Sequence, residues 1–191
     1  MKKYGVDVSD WQENVDWQEL LNNGYTFAII KLGEHRSVID SLVDKIQQAK
    51  EYGFQIGLYY YSHASTEEEA VQEADFVAEQ INAYLGVSPE LGIWYDFEEG
   101  PIVESGIDCV SVCRAFVNRM NELGINNVGI YSSYNYFTNY IQNLEFPLWV
   151  AQYNYRDDYS LENPDAKVKM WQFTDCISSE LPYDGNVLYE D

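Results

Sequence analysis

The 191-residue chain is poor in cysteine, histidine and basic residues. Its three cysteines, Cys109, Cys113 and Cys176, cannot form a disulfide framework, so we expect free thiols in a protein made in a reducing compartment. The only histidines, His35 and His63, belong to no nucleophile motif, which disfavours Ser/His or Cys/His catalysis. Phosphate-binding, dinucleotide-binding and metal-ligand motifs are also missing from the sequence, so we expect no cofactor and no metal.

Positive charge is scarce, with 11 Lys and Arg against 32 Asp and Glu and a formal net charge of −21. Nucleic acids and anionic membranes are therefore poor partners, because phosphate binding needs clustered basic residues. Long hydrophobic runs are missing as well, so we expect neither a membrane-inserted segment nor, after Lys2 and Lys3, a signal peptide. Any extracellular substrate would require release by another route.

Hydrophobic residues make up 46% of the chain and aromatic residues 16%, including 17 Tyr and 5 Trp. The length and composition favour one domain over residues 1–191 with a sizeable core, and we expect it to be a monomer. Most of the aromatic rings belong in that core, but exposed Tyr and Trp side chains in a cleft would suit sugar rings.

Short apolar runs alternate with amphipathic segments, which is typical of parallel strands joined by helical crossovers. Eight strands in one domain favour a closed barrel, here an irregular TIM-like (β/α) barrel with about five helices. The predicted strands span 5–9, 25–32, 55–61, 91–97, 128–131, 148–152, 168–173 and 187–189. The predicted helices span 15–23, 39–52, 67–85, 103–123 and 135–142.

The predicted fourth strand turns acidic at its end, with Asp96 and Glu98 two residues apart. Side chains two apart in a strand share a face, with Cα atoms roughly 6.5–7 Å apart. Two carboxylates beside a buried strand meet the needs of glycoside hydrolysis, which uses one acid and one anion. The simpler interpretation, in which such acids cap a helix or lie in solvent, stays open for an isolated motif.

Polar residues follow the other strands at the same place, and the carboxyl ends of parallel barrel strands meet at one mouth. By elimination we expect the carboxylates at that mouth to carry any chemistry. The residues concerned are Asp7, Glu34, Asp96, Glu98, Tyr131, Gln152, Gln172 and Asp184, the last just before the eighth strand.

Several segments together resemble the glycoside hydrolase family 25 lysozymes across essentially the whole chain. They are Gly5-Val6-Asp7-Val8-Ser9, Phe27-Ala28-Ile29-Ile30-Lys31, Gly57-Leu58-Tyr59-Tyr60-Tyr61, Asp96-Phe97-Glu98, Ile130-Tyr131-Ser132, Leu148-Trp149-Val150-Ala151-Gln152-Tyr153 and Trp171-Gln172-Phe173-Thr174. The resemblance implies a barrel that cleaves the β-1,4 bond between N-acetylmuramic acid and N-acetylglucosamine in bacterial peptidoglycan.

The resemblance also implies roles for single residues. Glu98 matches the general acid, Asp96 its partner carboxylate and Asp7 the acid on the first strand. Asp184 matches the fourth acid, although an alignment on Gly185-Asn186-Val187 would place Leu188 there instead. We expect the glycan to contact Glu34, Tyr59, Tyr61, Tyr131, Trp149, Gln152 and Trp171.

Three questions stay open at this point. The resemblance favours retention of configuration, either with Asp96 as nucleophile or with attack by the substrate's own 2-acetamido group. A catalytically inactive barrel that still binds glycan is the alternative to an enzyme. Without a signal peptide, the protein would reach the wall as a phage endolysin made in the host cytoplasm or by an unusual bacterial export route.

Overall fold

The computed structural model describes residues 1–86 and 89–190, and eight of its strands close into a barrel. The order around the barrel is β1-β9-β8-β7-β6-β5-β4-β2, and pairing of β1 with β2 closes it. This confirms the predicted irregular α/β barrel. The strands are β1 (Lys2–Val8), β2 (Tyr25–Glu34), β3 (Ser37–Val38), β4 (Gln55–Tyr61), β5 (Ile93–Asp96), β6 (Val128–Ser133), β7 (Leu148–Ala151), β8 (Val168–Thr174) and β9 (Asp184–Tyr189).

Strand β9 runs antiparallel to both of its neighbours, β1 and β8, whereas the other barrel strands pair in parallel. It begins at Asp184, three residues earlier than predicted, because Asp184 and Gly185 already pair with Asp7 and Val6. Asp184 is therefore the first residue of the strand and does not precede it. Since β9 is reversed, its first residue lies at the mouth where the parallel strands end.

Seven helices lie within the described residues, two more than the approximate number predicted. The predicted helix over 103–123 starts later, at Cys109, and Val103 instead ends a separate short helix. Asp108 begins the main helix by accepting a hydrogen bond from the Ser111 amide at 3.0 Å. The helices are α1 (Trp17–Asn22), α2 (Leu42–Glu51), α3 (Glu67–Tyr84), α4 (Gly100–Val103), α5 (Cys109–Glu122), α6 (Tyr134–Asn139) and α7 (Asp158–Glu162).

Side chains alternate between two cores along each strand. On β5, Ile93 and Tyr95 pack outward against the helices, whereas Trp94 packs inside the barrel. Gly129 on β6 makes room for that indole, since a Cβ there would lie 2.4 Å from Trp94 Cζ3. The buried residues inside the barrel are Phe27, Ile29, Trp94, Tyr131, Trp149, Met170 and Leu188.

The predicted free thiols are confirmed. Cys109 and Cys113 are buried on α5, Cys176 is exposed, and all three are free thiols. Among the described helices, none has both the length and the apolar character needed to cross a bilayer.

Candidate active site

A pocket of about 390 Å³ opens at the mouth of the barrel, above the aromatic side chains that fill its interior. Four carboxylic acids predicted from separate parts of the sequence line it together, Asp7, Asp96, Glu98 and Asp184. The remaining lining residues are Trp11, Lys31, Glu34, Tyr59, Tyr61, His63, Glu99, Tyr131, Trp149 and Gln172.

Asp7 and Asp184 are neighbours across the β1–β9 pair and share amide partners. The Asp7 Oδ2 atom accepts hydrogen bonds from Gln172 Nε2 at 2.8 Å and from Asn186 Nδ2 at 2.7 Å. Gln172 Nε2 also lies 3.4 Å from Asp184 Oδ2. Burial raises the pKa of Asp7 to about 6, although these amide hydrogen bonds oppose the rise.

Asp184 has a pKa raised to about 8, first by burial and then by the nearby charge of Asp7. Two carboxyls this close resist joint ionisation, so one of them retains a proton near neutral pH. The β1–β9 pair therefore supplies the pocket with one anionic carboxylate and one neutral carboxyl.

Asp96 ends β5 and points into the barrel mouth, with its backbone paired between Tyr61 and Tyr131. Its side chain is buried, and among the described residues its Oδ1 atom has no hydrogen-bond partner. Burial and the charge of Glu98 raise the pKa of Asp96 well above its ordinary value, while Lys31 opposes the rise. A buried carboxyl oxygen without a partner is costly, which suggests that a ligand supplies one.

Glu98 lies two residues beyond Asp96, just past the end of the strand, and its side chain is half-buried. Burial raises its pKa to about 7, with further contributions from the charges of Asp184 and Glu99. Phe97, between the two acids, packs into the outer core. The two acids therefore share a face, and Glu98 is positioned to hold a proton near neutral pH.

An irregularity in the β2–β4 pairing, between Lys31 and Gly33, brings Glu34 into the pocket wall. Strict alternation from Lys31 would point Glu34 outward, and the bulge reverses that. The buried Lys31 Nζ lies 2.9 Å from Glu34 Oε1 and 5.8 Å from the centre of the Tyr61 ring. One ammonium group therefore offsets part of the negative charge in the pocket.

Aromatic side chains form much of the remaining wall. Tyr59 and Tyr131 both pack against Trp149, with ring centres 6.3 and 4.4 Å apart. Tyr131 donates a hydrogen bond from its hydroxyl to Gln172 Oε1 at 2.9 Å. Trp11 stands at the rim with 87% of its surface exposed, so its face is available to a ligand.

Two residues predicted to contact the glycan lie outside this pocket, Gln152 and Trp171. Gln152 follows β7, where Nε2 donates to Asp158 Oδ2 at 3.2 Å and Oε1 accepts from the Asp158 amide at 3.1 Å, at the start of α7. Trp171 points to the outside of the barrel, because its neighbour Gln172 points inward on β8. Gln152 therefore organises a helix, and Trp171 lines a separate outer groove.

The prediction of site residues missed Trp11, Lys31, His63 and Glu99. Lys31 could have been found, because it stands two residues after Ile29, on the inward face of the same strand. Glu99 and His63 lie in loops beyond β5 and β4, where strand alternation gives no guidance. The loop that carries Trp11 likewise has no periodic pattern.

These features define a barrel whose pocket is lined by carboxylates. Comparison with known families assigns the chain to one of them. The model of the glycosyl hydrolases family 25 matches residues 6–180, and the chain belongs to that family. The chain is 28% identical over 190 residues to the Escherichia coli O157:H7 protein named uncharacterized protein YegX, covering 90% of this chain and 63% of that one. It thus spans less than two thirds of that relative's length.

Two solved structures show the same fold. The modular autolysin LytC from Streptococcus pneumoniae, solved with a synthetic peptidoglycan ligand, has a TM-score of 0.83 at 23% identity, over 98% of this chain and 47% of that chain. The catalytic domain of endolysin ply40 from bacteriophage P40 of Listeria monocytogenes has a TM-score of 0.77 at 21% identity, over 100% and 95% of the two chains.

Proposed function

We propose that this protein is a peptidoglycan hydrolase, a lysozyme that cleaves the β-1,4 bond between N-acetylmuramic acid and N-acetylglucosamine. The observation that carries the proposal is the meeting of Asp7, Asp96, Glu98 and Asp184 in one pocket of a family 25 barrel. The family assignment and the peptidoglycan ligand of the LytC structure support the choice of substrate. Its place of action is then the bacterial cell wall.

Glu98 is the general acid in this proposal. A donor must be protonated before it reacts, and a pKa of about 7 keeps much of the Glu98 population neutral at physiological pH. Glu98 gives its proton to the glycosidic oxygen as the bond from that oxygen to the sugar carbon breaks. It recovers a proton from the water molecule that completes the hydrolysis.

Asp96 is the partner carboxylate, and we favour substrate assistance as its route. The oxygen of the 2-acetamido group attacks the sugar carbon, while Asp96 accepts the amide N–H and stabilises the positive charge that develops. The unpartnered Oδ1 of Asp96 supports this role, and the Lys31 charge opposes part of the rise in the pKa of Asp96. Inhibition by a thiazoline analogue of the cyclised acetamido group would distinguish this route from direct attack by Asp96.

Asp7 and Asp184 shape the electrostatics of the site, and the aromatic wall binds the glycan. Asp7, the acid of this pair with the lower pKa, raises the pKa of Asp96 through its charge. Tyr59, Tyr61, Tyr131, Trp149 and Glu34 line the same pocket and would contact the sugars. Gln152 and Trp171 have no part in this proposal because they lie elsewhere.

The decisive measurement is mass spectrometry of digested peptidoglycan. A lysozyme leaves N-acetylmuramic acid at the new reducing end, whereas N-acetylglucosamine there would contradict the proposed bond. Glu98→Gln removes the transferable proton while keeping the side chain's shape, so turnover should fall by about 10²–10⁴-fold.

Glu104→Gln is the matched control, because Glu104 is an exposed acid six residues further along that lies outside the pocket. This control should clear wall suspensions at the normal rate. Folded Glu98→Gln with near-normal turnover would overturn the acid assignment. Wall binding by the unaltered protein without any turnover would instead identify an inactive glycan-binding barrel.

A further inference from the structure

The two histidines of the chain lie face to face beside the candidate active site. The rings of His35 and His63 are stacked with centres 3.5 Å apart and planes 10° apart, although the two residues come from different strand ends. Glu34 joins them, and one ligand atom from each of the three residues can be chosen so that all lie within 4.8 Å of one another.

The surroundings of Glu34 and His63 are those of oriented metal ligands. Lys31 Nζ donates a hydrogen bond to Glu34 Oε1. The other carboxylate oxygen, Glu34 Oε2, lies 3.2 Å from His63 Nε2. The other ring nitrogen, His63 Nδ1, lies 3.8 Å from Glu99 Oε2, a distance that fits an ion pair and would have to shorten to form a hydrogen bond. Metal-binding histidines commonly give their second N–H to a carboxylate, which fixes the tautomer and the ring direction.

His35 is presented by a strained turn. His35 and Arg36 link β2 to β3 with positive φ angles of 49° and 56°, which residues other than glycine rarely adopt. Gly33 allows the hairpin to fold back so tightly, since a Cβ there would lie 1.9 Å from the Ser37 carbonyl oxygen. Backbone strain of this kind persists mainly at functional sites.

We propose that Glu34, His35 and His63 form a binding site for a divalent transition metal ion, with Zn²⁺ the best match. Two imidazole nitrogens and one carboxylate oxygen are ordinary zinc ligands, and a fourth position would stay open to water. Hard cations such as Ca²⁺ and Mg²⁺ prefer oxygen ligands and fit this set poorly. The site shares Glu34 and His63 with the wall of the active-site pocket, but metal binding does not depend on the proposed hydrolysis.

To bind the ion, the ligand atoms must move closer together and the His35 ring must rotate. Zinc–ligand bonds of roughly 2.0–2.2 Å place tetrahedral ligand atoms about 3.4 Å apart, somewhat closer than the present 4.8 Å limit. Stacked rings cannot both direct an in-plane lone pair at one ion, so His35 must turn out of the stack. Its side chain is exposed and borders a cavity of about 170 Å³, which gives room for that rotation.

The test is calorimetric titration of the full chain with Zn²⁺ in the presence of millimolar Ca²⁺. We expect one Zn²⁺ per chain and an affinity reduced at least about tenfold in His35→Asn, since even outer-shell changes act on this scale. Asparagine tolerates positive φ, so this variant keeps the turn while removing the imidazole. Arg36→Asn is the matched control, with the same turn changed and all three ligands kept.

Imidazole NMR signals give a second readout that needs no enzymatic activity. Because the chain has two histidines, Zn²⁺ should shift both sets of ring signals in the unaltered protein. Equal affinity in His35→Asn, or displacement of Zn²⁺ by Ca²⁺, would overturn the proposal and indicate diffuse binding to surface carboxylates. Neither result bears on whether the barrel hydrolyses glycan.

Discussion

Three carboxyl groups in the pocket have higher pKa values in the folded chain than in the unfolded chain. Burial is the first cause for Asp7, Glu98 and Asp184, whose pKa values rise to about 6, 7 and 8. Unfolding restores ordinary values near 4, so the folded state binds more protons than the unfolded state between roughly pH 4 and 8. The stability contributed by the neutral carboxyls is present below that window and is lost as the pH rises through it.

We therefore expect the melting temperature to fall steadily between pH 5 and pH 8. Asp184→Asn removes one of the two coupled acids beside Gln172, the one whose pKa is raised to about 8. The melting temperature of this variant should depend less on pH than that of the unaltered protein. The difference in stability between the two proteins should favour the variant most at pH 8. Calorimetric scans at several pH values measure both slopes.

General charge repulsion in a chain of net charge −21 also lowers stability at high pH, so a control is needed. Asp165→Asn removes one formal negative charge, as Asp184→Asn does, but at an exposed position outside the pocket. If Asp165→Asn flattened the pH dependence as much as Asp184→Asn, the effect would belong to overall charge and not to the buried acids.

Strands and helices with a regular hydrophobic pattern were predictable from sequence. Strand ends that depend on pairing with a distant strand were not. The β5 alternation correctly placed Asp96 and Glu98 on one face, with Phe97 opposite. The start of β9 was wrong by three residues, because Asp184 and Gly185 become strand only by pairing with β1. Local sequence carries little information about such pairing.

The two predicted contact residues that lie outside the pocket, Gln152 and Trp171, have different causes. We expected Trp171 in the cleft because it is aromatic. Neighbouring side chains on a strand point to opposite faces, however, and on β8 it is Gln172 that points into the pocket. Glu34 reached the pocket only through the bulge after Lys31, which alternation alone does not reveal. From sequence alone, Gln152 could contact the glycan or stabilise α7. Its hydrogen bonds to Asp158 show that it stabilises α7.

Packing inside the barrel depends on a close fit between β5 and β6. Gly129→Ala would place a methyl group 2.4 Å from Trp94 Cζ3 and 2.8 Å from the Pro147 carbonyl oxygen. Overpacking of this kind costs about 1–3 kcal/mol, and we expect that loss in the free energy of unfolding. Urea denaturation measures it directly.

Gly100→Ala provides the comparison, since its added Cβ meets only the Tyr136 hydroxyl oxygen at 3.3 Å. Gly100 begins a short helix directly before Pro101, which disfavours helical angles for alanine, so we expect a loss that is smaller than that of Gly129→Ala but not zero. Equal stability of the two variants would show that the barrel interior is less tightly packed than the Trp94 contact implies.

At the scale of the whole molecule, the charge of −21 sets how the proposed enzyme approaches its substrate. Bacterial walls are usually polyanionic, so protein and wall repel each other when screening is weak. The Debye length falls from about 30 Å at 0.01 M salt to about 10 Å at 0.1 M, which removes most of the long-range repulsion. We expect wall clearing to become faster over this range, and turbidity assays at constant pH measure it.

Two comparisons distinguish repulsion from other effects of salt. Walls stripped of their anionic polymers should show a much weaker salt dependence. The double variant Glu67→Lys and Glu68→Lys should weaken it to a smaller extent, because it reverses two exposed charges in the first turn of α3, outside the pocket, while the protein remains acidic. Activity that falls steadily with salt on intact walls would show that local attraction at the cleft, and not the overall charge, governs the encounter.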